Sequence, residues 1–125
     1  MRSFFVSRLR SFHFAFDGLR YILKTQKNAW IHSVITILVI IVGLWLSIST
    51  LSWAIIFVSI GMVWTAECFN TAIETIIDLA SPQNHPLAKI SKDVGAAAVL
   101  ISVITAVFIG ITLLGPSFLA KLSMR

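Results

Sequence analysis

The sequence lacks the marks of several common protein classes. Cys68 is its single cysteine, which excludes an intramolecular disulfide and a cysteine-based metal site. No GxxxxGK[ST] loop, glycine-rich kinase loop or DFG triplet is present, so the soluble kinase types are excluded. The net charge is +5, but no basic patch is interleaved with aromatic residues. We therefore expect anionic lipid headgroups as partners and no nucleic acid.

Charged residues are also missing from long stretches of the chain. Only 12% of the residues are charged and 58% are hydrophobic, with a mean hydropathy of +0.93, which predicts an integral membrane protein. The uncharged run between Lys27 and Glu67 would reach about 58 Å as one helix, roughly twice the hydrocarbon core. It must fold back once, and the serine-rich stretch 47–52 is the predicted bend. With a second uncharged run at 94–120, we predict transmembrane helices at 30–46, 52–80 and 86–115.

The first 28 residues have a different pattern. Apolar residues recur at spacings of four and three along one helix face, namely Phe5, Leu9, Phe12, Phe16, Leu19 and Leu23. This pattern predicts an amphipathic helix over 1–28 that lies in the membrane interface. Six of the ten basic residues precede the first span and two lie near the start of the third, which predicts a cytoplasmic N-terminus. No apolar signal sequence with a cleavage site is evident, so we expect residues 1–125 to form one membrane domain.

Four polar residues share one face near the end of the second predicted span. Glu67, Asn70, Glu74 and Asp78 are spaced by three, four and four, which places them within a sector of roughly 80°. If that span enters the membrane near residue 52, Glu67 lies ~22 Å along it and Asp78 ~39 Å, so the polar face crosses the interface. An acid within hydrocarbon indicates a functional group, with an ion pair between helices as the structural alternative.

This arrangement is typical of a site for phosphate transfer at a membrane surface. Carboxylates that face one another invite Mg²⁺, which binds carboxylates, water and substrate phosphates. Glu67 would accept the proton of a lipid hydroxyl and Glu74 would hold the metal. Lys89 and Lys92, near the start of the third span, would bind nucleotide phosphates. The small residues at 95–98 favour close helix packing.

Three stretches resemble a known family. They are "FDGLRYILKTQKNAWIH" (16–32), "ECFNTAIETIIDL" (67–79) and "HPLAKISKDVGAAAVLI" (85–101). Together they are similar to the small prokaryotic diacylglycerol kinase and undecaprenol kinase family, whose signature E-x-x-N-T-A-I-E-x-x-x-D is specific.

The resemblance implies an all-α integral membrane fold in the bacterial inner membrane. It implies three transmembrane helices plus an amphipathic surface helix, a homotrimer with sites between protomers, and transfer of the γ-phosphate of ATP, with Mg²⁺, to a lipid hydroxyl. By position, the resemblance assigns these roles: Glu67, catalytic; Asn70 and Ala96, substrate-binding; Glu74 and Gln26, metal; Gln83, Asn84, His85, Lys92 and Asp93, nucleotide-binding; Asp78, support for the nucleotide end.

Gln26 departs from the family pattern, which commonly has a metal-binding glutamate there. A neutral amide oxygen can still ligate but compensates less of the cation's charge. The stretch "HPLAKISKD" looks more like the undecaprenol kinase branch, which favours a polyprenol acceptor over diacylglycerol. Two other functions stay open: a catalytically silent membrane interaction subunit, and a small proton-coupled carrier that uses Glu67.

Overall fold

The chain forms four helices in the computed structural model, which describes residues 2–81 and 85–123. They are α1 (Arg2–Thr25), α2 (Lys27–Leu46), α3 (Thr50–Ala80) and α4 (Pro86–Ser123). Within these residues, α2, α3 and α4 are long and apolar enough to cross a membrane, which confirms three spans. α4 continues to Ser123 instead of ending at 115, because Pro116 is accommodated inside the helix. Proline is tolerated in membrane helices, where neighbouring groups satisfy the freed carbonyl.

A three-residue turn joins α2 to α3, where the sequence predicted a bend. Ser47 has left-handed backbone angles (φ 54°, ψ 47°), and its N–H donates to carbonyls at the end of α2. Ser49 is the N-cap of α3: its hydroxyl oxygen accepts from the backbone N–H of Ser52 at 3.1 Å. The Ser49 hydroxyl therefore bonds locally to the backbone, as predicted for this stretch.

The main packing in the fold is between α3 and α4. The buried residues of α3 recur every three or four positions, which makes one stripe along the helix. This stripe changes from apolar to polar toward the C-terminal end of α3, in the order Ile56, Ser59, Val63, Glu67, Asn70 and Thr71. Opposite it, α4 buries Gly95, Val99 and Ser102. The chemistry-bearing residues are thus held by the best-packed helix pair.

Most large apolar side chains face outward in the single chain. On α1, Phe12 and Phe16 are exposed, while Ile22 is buried. Phe5 and Leu9, which belong to the predicted apolar stripe, lie outside the described side chains. An exposed apolar surface of this extent fits lipid or a second copy of the chain as its surroundings.

The opposite end of the bundle from the polar stretch is closed by contacts between α2 and α4. Lys121 Nζ donates to the backbone carbonyl of Trp45 and lies 4.8 Å from the centre of its ring. The Phe118 ring packs against the same tryptophan, with centroids 5.9 Å apart. These contacts anchor the C-terminal end of α4 to the end of α2.

Candidate functional site

The polar face of α3 runs from the protein interior to its surface. Glu67 is only 1% exposed and Asn70 is 6% exposed. Glu74, two turns after Glu67, is half-buried, and the side chain of Asp78 is 67% exposed. The four residues that the sequence placed on one face therefore form a gradient of burial along it. A water-soluble substrate can reach the Asp78 end, whereas the Glu67 end is enclosed.

His32 of α2 lies beside Glu67. Its Nε2 lies 3.7 Å from Glu67 Oε2, and the imidazole is only 11% exposed. This distance is too long for a hydrogen bond but lies within ion-pair range. Neither atom has a hydrogen-bond partner among the described residues.

Sequence reasoning gave His32 no role in the site. The structure places it beside the buried carboxylate of Glu67. A signal was present, because His32 is the one imidazole inside the uncharged run 28–66. A polar residue at membrane depth requires a partner, but the pairing depends on how α2 packs against α3.

Asn70 links the buried and accessible parts of the polar face. Its Nδ2 donates to Glu74 Oε1 at 3.1 Å. Its Oδ1 is buried without a hydrogen-bond partner in the described part of the chain and lies against Gly95. A Cβ placed on Gly95 would come within 2.5 Å of that oxygen. The predicted close approach of helix backbones at 95–98 is therefore confirmed at Gly95.

The accessible end of the face is formed by α3 and the start of α4. Lys92 Nζ makes an ion pair with Asp78 Oδ1 across these helices. His85 precedes α4, and its Nδ1 accepts from the backbone N–H of Leu87 at 3.2 Å, while Asp93 is exposed one position after Lys92. Gln83 and Asn84 lie outside the described residues. The structure thus brings Lys92 to the polar face of α3.

The two remaining predicted residues are Gln26, at a helix boundary, and Ala96, inside α4. Gln26 separates α1 from α2 with an extended backbone (φ −100°, ψ 117°), and its side chain makes no capping hydrogen bond. Ala96 is exposed on α4 next to Gly95. Among the described residues no group of three or more His, Cys, Asp or Glu side chains is arranged to hold a metal ion.

An apolar cavity of about 460 Å³ has His32 in its lining. It is bounded by α2, α3 and α4, and its lining includes His32, Thr36, Ser59, Val63, Ala106 and Phe118. Its volume is in the range that binds small molecules. His32 thus borders both the cavity and Glu67.

Trp64 of α3 packs against α2 beside His32. The rings of Trp64 and His32 meet edge to face, with centroids 6.4 Å apart. Trp64 Nε1 donates to Thr36 Oγ1 at 3.5 Å. The indole therefore restrains both the imidazole and the α2 backbone that carries it.

The site combines a buried acid, an apolar cavity and a charged, accessible end. A carboxylate enclosed in this way is a suitable proton acceptor for a hydroxyl group delivered from the apolar side. The charged end is suitable for a water-soluble, phosphate-bearing partner.

Comparison with known proteins agrees with this geometry. Residues 13–114 match the prokaryotic diacylglycerol kinase family. The chain is 36% identical over 107 residues to an undecaprenol kinase of Bacillus subtilis, covering 86% of this chain and 87% of that protein. It is 31% identical over 105 residues to a diacylglycerol kinase of Escherichia coli, covering 78% and 86%. It is 38% identical over 113 residues to a diacylglycerol kinase of Synechocystis, covering 90% of this chain but 65% of that protein.

The matched range contains the whole polar face of α3, His32 and the start of α4. A family of kinases implies a nucleotide as the phosphoryl donor, which agrees with the charged end of the site. The chain belongs to the prokaryotic diacylglycerol kinase family and is a membrane lipid kinase.

Proposed function

We propose that the protein transfers the γ-phosphate of ATP to the hydroxyl of a membrane lipid alcohol, with undecaprenol favoured and diacylglycerol the other candidate acceptor. The observation that carries this proposal is the burial of Glu67 on a face that ends at the exposed Asp78. One helix face thereby extends from an apolar environment, where the lipid lies, to water, where ATP is dissolved. The proposed reaction needs access to both. The relation to the Bacillus subtilis undecaprenol kinase supports the favoured acceptor.

The chemical step uses Glu67 as the proton acceptor. The lipid hydroxyl loses its proton to the Glu67 carboxylate as its oxygen forms a bond to the γ-phosphorus of ATP. The bond from that phosphorus to the bridging oxygen breaks, and ADP leaves with the electron pair. Glu67 then releases the proton to water. Because phosphoryl transfer depends mainly on positioning and charge compensation, few side chains are required.

The lipid is proposed to place its chain in the apolar cavity and its head at the polar face. His32 lines the cavity and lies 3.7 Å from the Glu67 carboxylate, so a chain seated there would bring its hydroxyl toward that carboxylate. Asn70 and Ala96 are the proposed contacts for the head of the lipid. Asn70 is the buried one of the two and already bonds to Glu74.

The nucleotide is proposed to bind at the junction of α3 and α4. Lys92 supplies the cation there and Asp78 fixes its position through the ion pair. His85 and Asp93 are the other proposed contacts in the described part of this junction. Gln83 and Asn84, which lie outside the described residues, complete the proposed set.

A magnesium ion is proposed to bind beside the middle of the polar face. Glu74 supplies a carboxylate held by Asn70, and the Gln26 amide makes no capping bond that would occupy it. A small set of protein ligands is what Mg²⁺ requires when nucleotide phosphates and water complete its shell. Glu74 and Gln26 would hold the ion, which would compensate the charge of the transferred phosphate.

We further propose the assembly and orientation that the family resemblance implies. The protein would be a homotrimer in the inner membrane, with its N-terminus in the cytoplasm and α1 lying on the membrane surface. The exposed apolar side chains of α1 and the large exposed apolar surface of the spans support this proposal.

The test is phosphate transfer by the purified protein in detergent micelles. Wild type, Glu67→Gln and Asp17→Asn would be offered Mg-ATP labelled in the γ-phosphate, with undecaprenol and diacylglycerol in parallel. Glu67→Gln keeps the shape of the side chain and removes the proton acceptor, so transfer should fall by at least about 100-fold. Asp17→Asn makes the same chemical change at an exposed acid of α1 and should retain activity.

The outcomes separate the three candidate functions. Labelled lipid that depends on Glu67 supports the kinase and ranks its acceptors. Transfer to neither lipid by folded wild-type protein contradicts the proposal and favours a silent subunit. Proton flux into liposomes that depends on Glu67, without transfer, would favour the carrier.

A further inference from the structure

His32 carries a buried polar atom, Nε2, that the proposed reaction leaves without a role. It projects from α2, whereas the proposed catalytic and metal-binding acids both lie on α3. Its imidazole is largely enclosed, and Trp64 packs against it edge to face. A buried polar atom without a partner is costly, so its placement beside Glu67 requires a reason.

The geometry around Glu67 provides that reason. Glu67 Oε2 and His32 Nε2 are both buried, both lack a hydrogen-bond partner among the described residues, and lie 3.7 Å apart. A shift of less than about 1 Å would bring them to hydrogen-bond distance. Such contacts are often long in the free enzyme and shorten in the substrate complex. His32 also borders the apolar cavity, so a lipid chain seated there would press on the wall that carries the imidazole.

We propose that His32 is a positioning residue for the reaction: its Nε2–H holds one oxygen of the Glu67 carboxylate and orients the group toward the lipid hydroxyl. His32 does not exchange a proton with the substrate and its protonation is unchanged at the end of the cycle. This inference rests on the proposed role of Glu67, but the contact itself can be tested without activity.

Activity measurements test the orientation. His32→Leu fills a similar volume without a donor, and we expect kcat to fall by about 10- to 100-fold, with the KM for ATP changed less than about twofold. His32→Gln restores an N–H donor and should recover kcat to within about fivefold of wild type. His13→Leu, at an exposed position of α1, is the matched control and should leave kcat unchanged. If His32 only fills space, His32→Leu should keep a higher kcat than His32→Gln.

A spectrum tests the contact. The chain has three histidines, so ¹⁵N-histidine labelling gives three imidazole signal sets, from His13, His32 and His85. In Glu67→Gln the His32 signals should shift, while those of His13 and His85 stay in place. An unmoved His32 signal, or wild-type kcat in His32→Leu, overturns the proposal. Full activity in Glu67→Gln would instead overturn the proposed function, and the spectrum would still decide whether the two side chains touch.

Discussion

Gly95 shows how one missing side chain positions a polar group in a membrane helix pair. Asn70 Oδ1 occupies the space that a Cβ on residue 95 would need. Because Asn70 also donates to Glu74, its amide is fixed from both sides. The position of the Glu74 carboxylate therefore depends, through Asn70, on Gly95 of α4.

We predict that Gly95→Ala lowers both activity and stability. The added methyl would displace the Asn70 amide and break its bond to Glu74, at a cost of about 1–3 kcal/mol for overpacking. The melting temperature in detergent and the rate of phosphate transfer should both decrease. Gly61→Ala is the control, because nothing lies within 4 Å of a Cβ there. Equal behaviour of the two variants would contradict the proposed contact.

Residues on one helix were easier to predict than residues that meet across helices. Glu67, Asn70, Glu74 and Asp78 follow from spacing alone, because helical periodicity fixes their common face. Their burial gradient also follows from position along the span. The His32 contact with Glu67 could not be derived, since it depends on the rotation of α2 about its axis, which side-chain packing determines.

At the scale of helices, the ends were predicted with unequal success. The serines of 47–52 and Pro86 mark their boundaries through local hydrogen bonds and backbone restriction, and the structure places helix ends there. The end of α4 is different, because Pro116 suggests a stop that the structure does not make. Its last turns are held by tertiary contacts of Phe118 and Lys121 with Trp45, which no local signal reveals.

The turn between α2 and α3 gives a prediction of stability. Ser47 adopts left-handed angles that disfavour residues with a Cβ, so Ser47→Gly should raise the free energy of unfolding by about 1 kcal/mol. Thermal unfolding monitored by tryptophan fluorescence would measure the gain. Ser91→Gly makes the same exchange inside α4 and should lower stability instead. A loss in both variants would show that the left-handed turn does not limit stability.

At the scale of the whole molecule, the proposed trimer makes a prediction about shared sites. Glu67→Gln and Lys92→Ala are each expected to be poorly active, because one removes the proton acceptor and the other the nucleotide contact. If each site combines these residues from neighbouring protomers, mixed trimers should recover up to about a quarter of wild-type activity. Co-reconstitution after dissociation, followed by the phosphate-transfer assay, measures this.

The control for that experiment is the double variant. Wild type mixed with the Glu67→Gln/Lys92→Ala protein shows how far activity falls when inactive protomers only dilute active ones. Activity regained by mixing the two single variants is compared with this value. Activity that never exceeds the sum of the separate variants would indicate that each site is contained in one protomer. The Asp78–Lys92 ion pair within one chain would then be the core of that site.

The burial gradient of α3 also fixes the depth of the helix in the bilayer. A slide of one turn, about 5.4 Å, toward the membrane interior would carry the charge of Asp78 toward hydrocarbon. The same slide outward would carry the enclosed Glu67 toward water. Burial of Glu67 and exposure of Asp78 therefore both oppose movement of α3 along the membrane normal. In a membrane of different thickness, the helix would tilt or the bilayer would deform around the protein.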